Sequence, residues 1–212
     1  MLFRSDGSGP DGAVVRTFDP DADGTLLGEG GGILVLERAD AAAARGATPY
    51  ARVGAASATQ GFWTDARGLG VPEDDRSIDD AMELALERSG LGPGDVDAIV
   101  PLGSGVPAMD RAEAAAFRRV FGERAASIPL VPTIPFVGSC AAGTGAIAFA
   151  AAAMMLREQR LPARLHARGL EGLDAAAAPS RPAELGTVLV LTTSQGGQNA
   201  AAVLQRAETA SA

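Results

Sequence analysis

Apolar residues along this chain fall into two alternating patterns, short continuous runs and stripes at helical spacing, and each predicts its own kind of element. The clearest stripe runs from Ser77 to Ser89, where Ile78, Ala81, Met82, Ala85 and Leu86 share one face of a helix. Ser77 is placed to cap it and Gly90 to end it. The run Ile33-Leu34-Val35-Leu36, entered from glycines, predicts a buried strand. A short helix from Ala39 to Arg45, closed by Gly46, and a strand from Tyr50 to Ala56 follow. Beyond them is a loop with Phe62 and Trp63 near its start and Pro72 near its end.

After the turn Pro93-Gly94-Asp95, the pattern predicts a strand over Ala98 to Leu102. Asp110-Arg111-Ala112-Glu113 has acids in capping-box order and opens a helix ending near Phe121. Ile128 to Val131 is a fourth apolar run. A helix of small residues then runs from Cys140 to near Leu156, apolar nearly all round, which demands burial on every side. Residues 162–185 read as a Pro/Ala/Arg loop. Thr187 to Leu191 and Ala200 to Leu204 read as a hairpin around Gly196-Gly197. Strands alternating with helices give an α/β class. The divisions are an entry segment over 1–30, a domain over 31–206 and a polar tail over 207–212.

Composition narrows the chemistry. A chain of 212 residues is one sizeable domain or half of a larger one. Its net charge of −8 opposes binding to nucleic acid or to an anionic membrane face. Every cation is arginine, so lysine Schiff-base chemistry is excluded. One cysteine, Cys140, excludes an internal disulfide and fits a reducing cytoplasm; one histidine, His166, excludes a His-rich metal site. The first residues lack the apolar run of a signal peptide, and Ala146 to Leu156 is too short to span a bilayer. Phe18-Asp19-Pro20-Asp21-Ala22-Asp23-Gly24 has the acid density of a calcium loop but lacks the EF-hand spacing and closing glutamate, and reads as an acidic turn. No metal and no cofactor are expected.

The ordered motifs carry more. Asp19 to Gly24, Leu27-Gly28-Glu29-Gly30-Gly31-Gly32 and Leu34-Val35-Leu36-Glu37 resemble the stretch after the nucleophile helix of elongating β-ketoacyl synthases. Leu102 to Glu113 resembles that family's His-Gly-Thr segment, with Val120-Phe121-Gly122 continuing it. Thr133 to Gly145 resembles its Lys-Ser-Met-Thr-Gly-His segment and the glycine helix beyond. Leu156-Arg157-Glu158-Gln159 follows in place, and Gly196-Gly197-Gln198-Asn199 resembles the closing glycine turn, Gln198 replacing threonine. The run Val106-Pro107-Ala108-Met109-Asp110-Arg111-Ala112-Glu113-Ala114 is similar to the chain-length factor, or ketosynthase β, of type II polyketide synthases, a catalytically silent partner.

The resemblance implies the C-terminal half of a thiolase-like, layered α/β/α fold, completed by a partner chain that carries the N-terminal ketosynthase half. It also implies where chemistry is lost. The family's two histidines and its lysine fall at Leu102, Ser139 and Ile134. Decarboxylative condensation needs donors for a developing oxyanion, and neither Leu102 nor Ile134 supplies one; the Ser139 hydroxyl is a weak substitute for imidazole. The implied function is therefore a non-catalytic, chain-length-factor-like subunit supporting an active ketosynthase (α) subunit, with an acyl carrier protein as further partner.

Two alternatives stand beside it: a composite ketosynthase or acyltransferase using Ser139 or Cys140, and a purely structural scaffold. The candidate residual site is Ser139, Cys140, Gln195 and Asn199. Cys140 opens a helix, where a thiol can be activated, yet free cysteines are mostly buried and inert. Gln195 stands where the family has an apolar phenylalanine gate. His166 reads as a solvated loop residue. Arg118, Arg119 and Arg124 read as a solvated helix face, with a carrier-protein contact as the sharper option. Phe62 and Trp63 are either an interface anchor or a cover over a core edge.

Overall fold

The computed structural model describes residues 14–61 and 76–207. In chain order its elements are α1 (Ala39–Ala44), β1 (Arg52–Gln60), α2 (Ser77–Arg88), β2 (Ala98–Val100), α3 (Pro107–Phe121), α4 (Ile134–Val137), α5 (Gly143–Glu158), β3 (Arg160–Leu161), β4 (Arg181–Pro182), β5 (Thr187–Thr193) and β6 (Gln198–Gln205). Phe62, Trp63 and Pro72 lie outside the described residues.

A four-stranded sheet in the order β1-β6-β5-β2 is the frame. β5 and β6 form the expected antiparallel hairpin, β1 pairs antiparallel with β6, and β2 lies parallel to β5. Alternation along β5 sends Leu189 and Leu191 into one core and Val188 and Val190 into another. The first core packs under α2 and α3, with Met82, Leu86 and Phe117. The second packs under α5, with Ala148, Ala152 and Leu156. The result is a helix–sheet–helix sandwich, the layered α/β arrangement expected from the sequence.

Several local expectations change. Ile33-Leu34-Val35-Leu36 pairs with no strand among the described residues, and its side chains are 98%, 38%, 88% and 72% exposed. A strand composition makes a strand only where a neighbouring ladder exists, and among the described residues none lies beside this run. Ile128 to Val131 contracts to single bridges: the Ile99 N–H donates to the Pro129 carbonyl and the Val131 N–H to the Ile99 carbonyl. Ser77 is the first helical residue of α2, not its cap; Arg76 occupies that position. The capping box is also replaced. α3 starts at Pro107, where a missing N–H costs nothing, so Asp110 and Glu113 lie inside the helix. Finally, α5 is buried on one side only: Ala148, Ala152 and Leu156 face the sheet while Ile147, Ala150 and Ala151 are half-buried and Met154 is exposed.

Within the arginine cluster, Arg118 and Arg124 are exposed, as a solvated face requires, while Arg119 is half-buried. Arg119 clamps the fully buried Asp79 through Nε and Nη2, at 2.6 and 2.7 Å. Arg118 donates to the Glu171 carbonyl, and Arg124 to the carbonyls of Pro93 and Val96. These groups tie α3 and its C-terminal turn to α2 and two loops.

Candidate functional site

The centre of the site is the loop between β2 and α3. Gly103 and Gly105 both take positive φ, 50° and 78°. Side chains have no room there: a Cβ on Gly105 would lie 2.4 Å from the Gly24 carbonyl oxygen. The tight turn leaves backbone N–H groups pointing inward, and two carboxylates from α3 receive them. Asp110 accepts from the N–H groups of Ser104 (2.8 Å) and Gly105 (3.1 Å), from the Ser104 hydroxyl (3.1 Å) and from the Phe18 N–H (2.8 Å). Glu113 accepts from the Gly103 N–H (3.1 Å) and from the Thr193 hydroxyl at the end of β5 (3.0 Å). The Leu102 N–H also stabilises its charge.

Burial sets the charge states. Asp110 is pushed up to about 6 by desolvation, against the pull of its N–H partners. Glu113 is pushed up to about 8, first by desolvation and then by the Asp110 charge. Burial therefore favours the protonated form of both carboxyls, and the Asp110 charge adds to that at Glu113. Both carboxylates are occupied in fastening the loop.

The three family positions are placed as follows. Leu102 is half-buried at the loop's entry, tied to Glu113 by its backbone alone. Ile134, 1% exposed, is an apolar side chain at the start of the one-turn helix α4. Ser139 is half-buried and bridged to Leu27: its N–H donates to the Leu26 carbonyl (2.7 Å) and its carbonyl accepts the Gly28 N–H (3.0 Å). Cys140 follows, buried, its sulfur 3.7 Å from the carbonyl oxygens of Val137 and Gly138, where the S–H is a donor.

The structure brings Leu102 and the end of β5 together through Glu113, and Ser139 and Cys140 together with residues 26–30. Gln195 and Asn199 both lie on the β5–β6 hairpin. Gln195 is exposed on the β5–β6 turn. Asn199 is buried and donates to the Ser77 hydroxyl (2.9 Å) and the Gly197 carbonyl, so it fastens the turn to α2. His166 is exposed, as expected for a loop histidine. Among the described residues no group of His, Cys, Asp and Glu could hold a metal ion, and no helix is long and apolar enough to cross a membrane. Asp19 clips the acidic turn, accepting the N–H of Asp21 (2.8 Å), and ties it to the distant Arg168, whose N–H it also accepts. Thr193 escaped the sequence reading, since a threonine ending a strand carries no signal of a buried carboxylate partner.

The family model of the β-ketoacyl synthase C-terminal domain matches residues 50–168, and that of the N-terminal domain matches residues 3–42. The granaticin polyketide putative β-ketoacyl synthase 2 of Streptomyces violaceoruber is 38% identical over 88% of this chain and 43% of its own length. The tetracenomycin polyketide synthase ketoacyl synthase beta subunit of Streptomyces glaucescens is 37% identical over 96% of this chain and 49% of its own. Among solved structures, the ishigamide ketosynthase/chain length factor superposes with a TM-score of 0.83 at 29% identity, over 94% of this chain and 48% of that one. The chain thus spans less than half the length of these relatives. The resemblance to ketosynthase β subunits that the Val106–Ala114 run suggested is matched by the tetracenomycin beta subunit. With a domain model covering more than half of it and ketosynthase relatives aligned along nearly its whole length, the chain belongs to the β-ketoacyl synthase family.

Proposed function

We propose that this chain is a non-catalytic, chain-length-factor-like subunit of a type II polyketide or fatty-acyl synthase, with another chain supplying the N-terminal ketosynthase half. In this reading it supports an active ketosynthase (α) subunit and its acyl carrier protein during decarboxylative condensation. One observation carries the proposal. The loop scaffold of Gly103, Gly105, Asp110 and Glu113 is fully built, while Leu102, Ile134 and Ser139 offer neither imidazole nor ammonium to a developing negative charge.

Against a composite active site, Cys140 is 9% exposed and points at carbonyl oxygens, and Ser139 lacks a histidine in the chain segments around it. The test is condensation of malonyl-loaded carrier protein by this chain alone and by its complex with an N-terminal half and an active ketosynthase. The chain alone releases no carbon dioxide. Activity of the complex is abolished by alkylating the active ketosynthase's own cysteine and survives Cys140→Ala. Turnover by the isolated chain overturns the proposal.

A further inference from the structure

Phe18 is strained. Its φ of 51° lies in the left-handed region, which bulky side chains rarely adopt, and the residue is fully buried. Such strain persists only where the surroundings hold it, and here it is held from both sides. The Phe18 N–H donates to Asp110 (2.8 Å), and its ring leans on that of Phe117, with centroids 6.0 Å apart. The next residue, Asp19, has a side chain with no solvent access. Its carboxylate accepts the N–H groups of Asp21 (2.8 Å) and of Arg168. The Arg168 guanidinium adds an ion pair with Asp21 at 2.5 Å and a longer approach to Asp19 at 3.8 Å.

The two holds lead in opposite directions. Inward, the Asp110 carboxylate that receives Phe18 also receives Ser104 and Gly105. The segment around Phe18 lies across that turn as a strap, with Val15 through Asp19 buried without a break. A Cβ on Gly103 would meet the Phe18 Cε2 at 3.0 Å, and one on Gly105 would meet the Val15 Cγ1 at 2.7 Å. Outward, Arg168 belongs to a loop closed upon itself. Arg164 and Ala178 exchange N–H···carbonyl bonds of 2.8 and 3.1 Å, the Ala177 N–H donates to the Ala167 carbonyl at 2.7 Å, and Arg164 pairs with Asp174 at 2.7 Å. Such a loop is a firm anchor. The side chains of Arg168 and Asp21 are 64% and 56% exposed, so this end meets solvent while the Phe18 end is sealed.

We propose that residues 15–24 form a latch: Asp19, gripped by Arg168, holds Phe18 in its left-handed conformation, and Phe18 thereby keeps Asp110 closed on the Ser104–Gly105 turn. The two-state element is the Phe18 backbone. When the grip on Asp19 is lost, Phe18 relaxes to a negative φ and its N–H turns away from Asp110. The turn that follows Leu102 then loosens. An exposed arginine thus controls a buried turn through two carboxylates, one on each side of a single strained residue.

The test is amide hydrogen exchange in the folded chain, read at Ser104 and Gly105, with Val190 and Ala202 of the β5–β6 hairpin as controls. Asp19→Ala is expected to speed exchange at Ser104 and Gly105 by at least about tenfold and to leave the controls within about twofold of the parent. Arg168→Ala removes only the exposed ion pair and keeps the Arg168 N–H, so a smaller rise of about threefold is expected at the same two amides. Unchanged exchange at Ser104 and Gly105 in Asp19→Ala overturns the latch. Equal acceleration at all four amides shows that Asp19 merely supports the fold, and overturns it too. If Asp19→Ala does not fold, Arg168→Ala decides alone: a rise confined to Ser104 and Gly105 supports the latch, and its absence overturns it.

Discussion

Asp110 and Glu113 lie one helical turn apart on α3, both buried, and divide one loop between them: Asp110 takes the N–H groups of Ser104 and Gly105, Glu113 that of Gly103. Their acidities are raised to about 6 and about 8, from 3.8 and 4.5, by desolvation and, for Glu113, by the Asp110 charge. The folded state therefore binds more protons than the unfolded chain between those limits. Stability from this pair is complete below the ordinary carboxylate range and is lost as pH rises through about 6 and then about 8. The melting temperature is expected to fall between about pH 4 and about pH 8, and Glu113→Gln, which cannot ionise, is expected to flatten the upper part of that decline. A melting series across pH for the two proteins checks this; equal slopes would refute it.

Arg119 holds a buried carboxylate from a partly exposed position. Its fork meets the carboxylate of Asp79, which has no solvent access and is also approached by the half-exposed Arg76 at 2.7 Å. Arg119→Met leaves a buried charge held by one exposed partner, and a loss of about 3 kcal/mol is expected. Arg119→Lys recovers little of it, because an ammonium cannot reproduce the two-point grip. Arg118→Ala, whose bond to the Glu171 carbonyl is exposed, is expected to change stability by less than about 0.5 kcal/mol. Urea unfolding of the three variants orders them.

What the sequence discloses here divides by the range of the interactions. The helix at Ser77–Arg88 and the β5–β6 hairpin are visible because a stripe, a closing Gly90 and a glycine turn are local facts. The family is visible because its motifs stand in order even where each is weak. Asp110 and Glu113 look like a capping box because spacing along the chain cannot show that their partners are Phe18, 92 residues away, and Thr193, 80 away. Ile33–Leu36 looks like a buried strand because composition reports what a segment prefers, whereas pairing requires a neighbour. Arg119 looks solvated for the same reason: nothing near it in sequence announces Asp79.

The glycine run offers a comparison within four residues. Gly28 is in backbone contact with α4, and a Cβ there would overlap the Val137 carbonyl oxygen, whereas a Cβ on Gly31 meets nothing within 4 Å. Gly28→Ala must push residues 26–30 off Ser139, breaking the paired bonds between Leu26, Gly28 and Ser139, and is expected to cost about 1–3 kcal/mol. Gly31→Ala is expected to stay within about 0.5 kcal/mol of the parent. Thermal unfolding separates the two, and similar losses would show that the loss at Gly28 owes nothing to close approach.

Cys140 supplies a chemical readout of the same contact. The residue is 9% exposed, and its sulfur lies under Gly30, where a Cβ would come within 3.3 Å, and faces two carbonyl oxygens. A reagent cannot reach it unless residues 28–30 lift from α4 and α5. In the folded chain, modification by an aromatic disulfide reagent is expected to run at least about tenfold slower than in denaturant. Gly28→Ala, by prising that strap away, is expected to speed the reaction, while Gly31→Ala leaves the rate unchanged. If the folded parent reacts as fast as the denatured chain, Cys140 is open to substrates, and the composite active site regains its nucleophile.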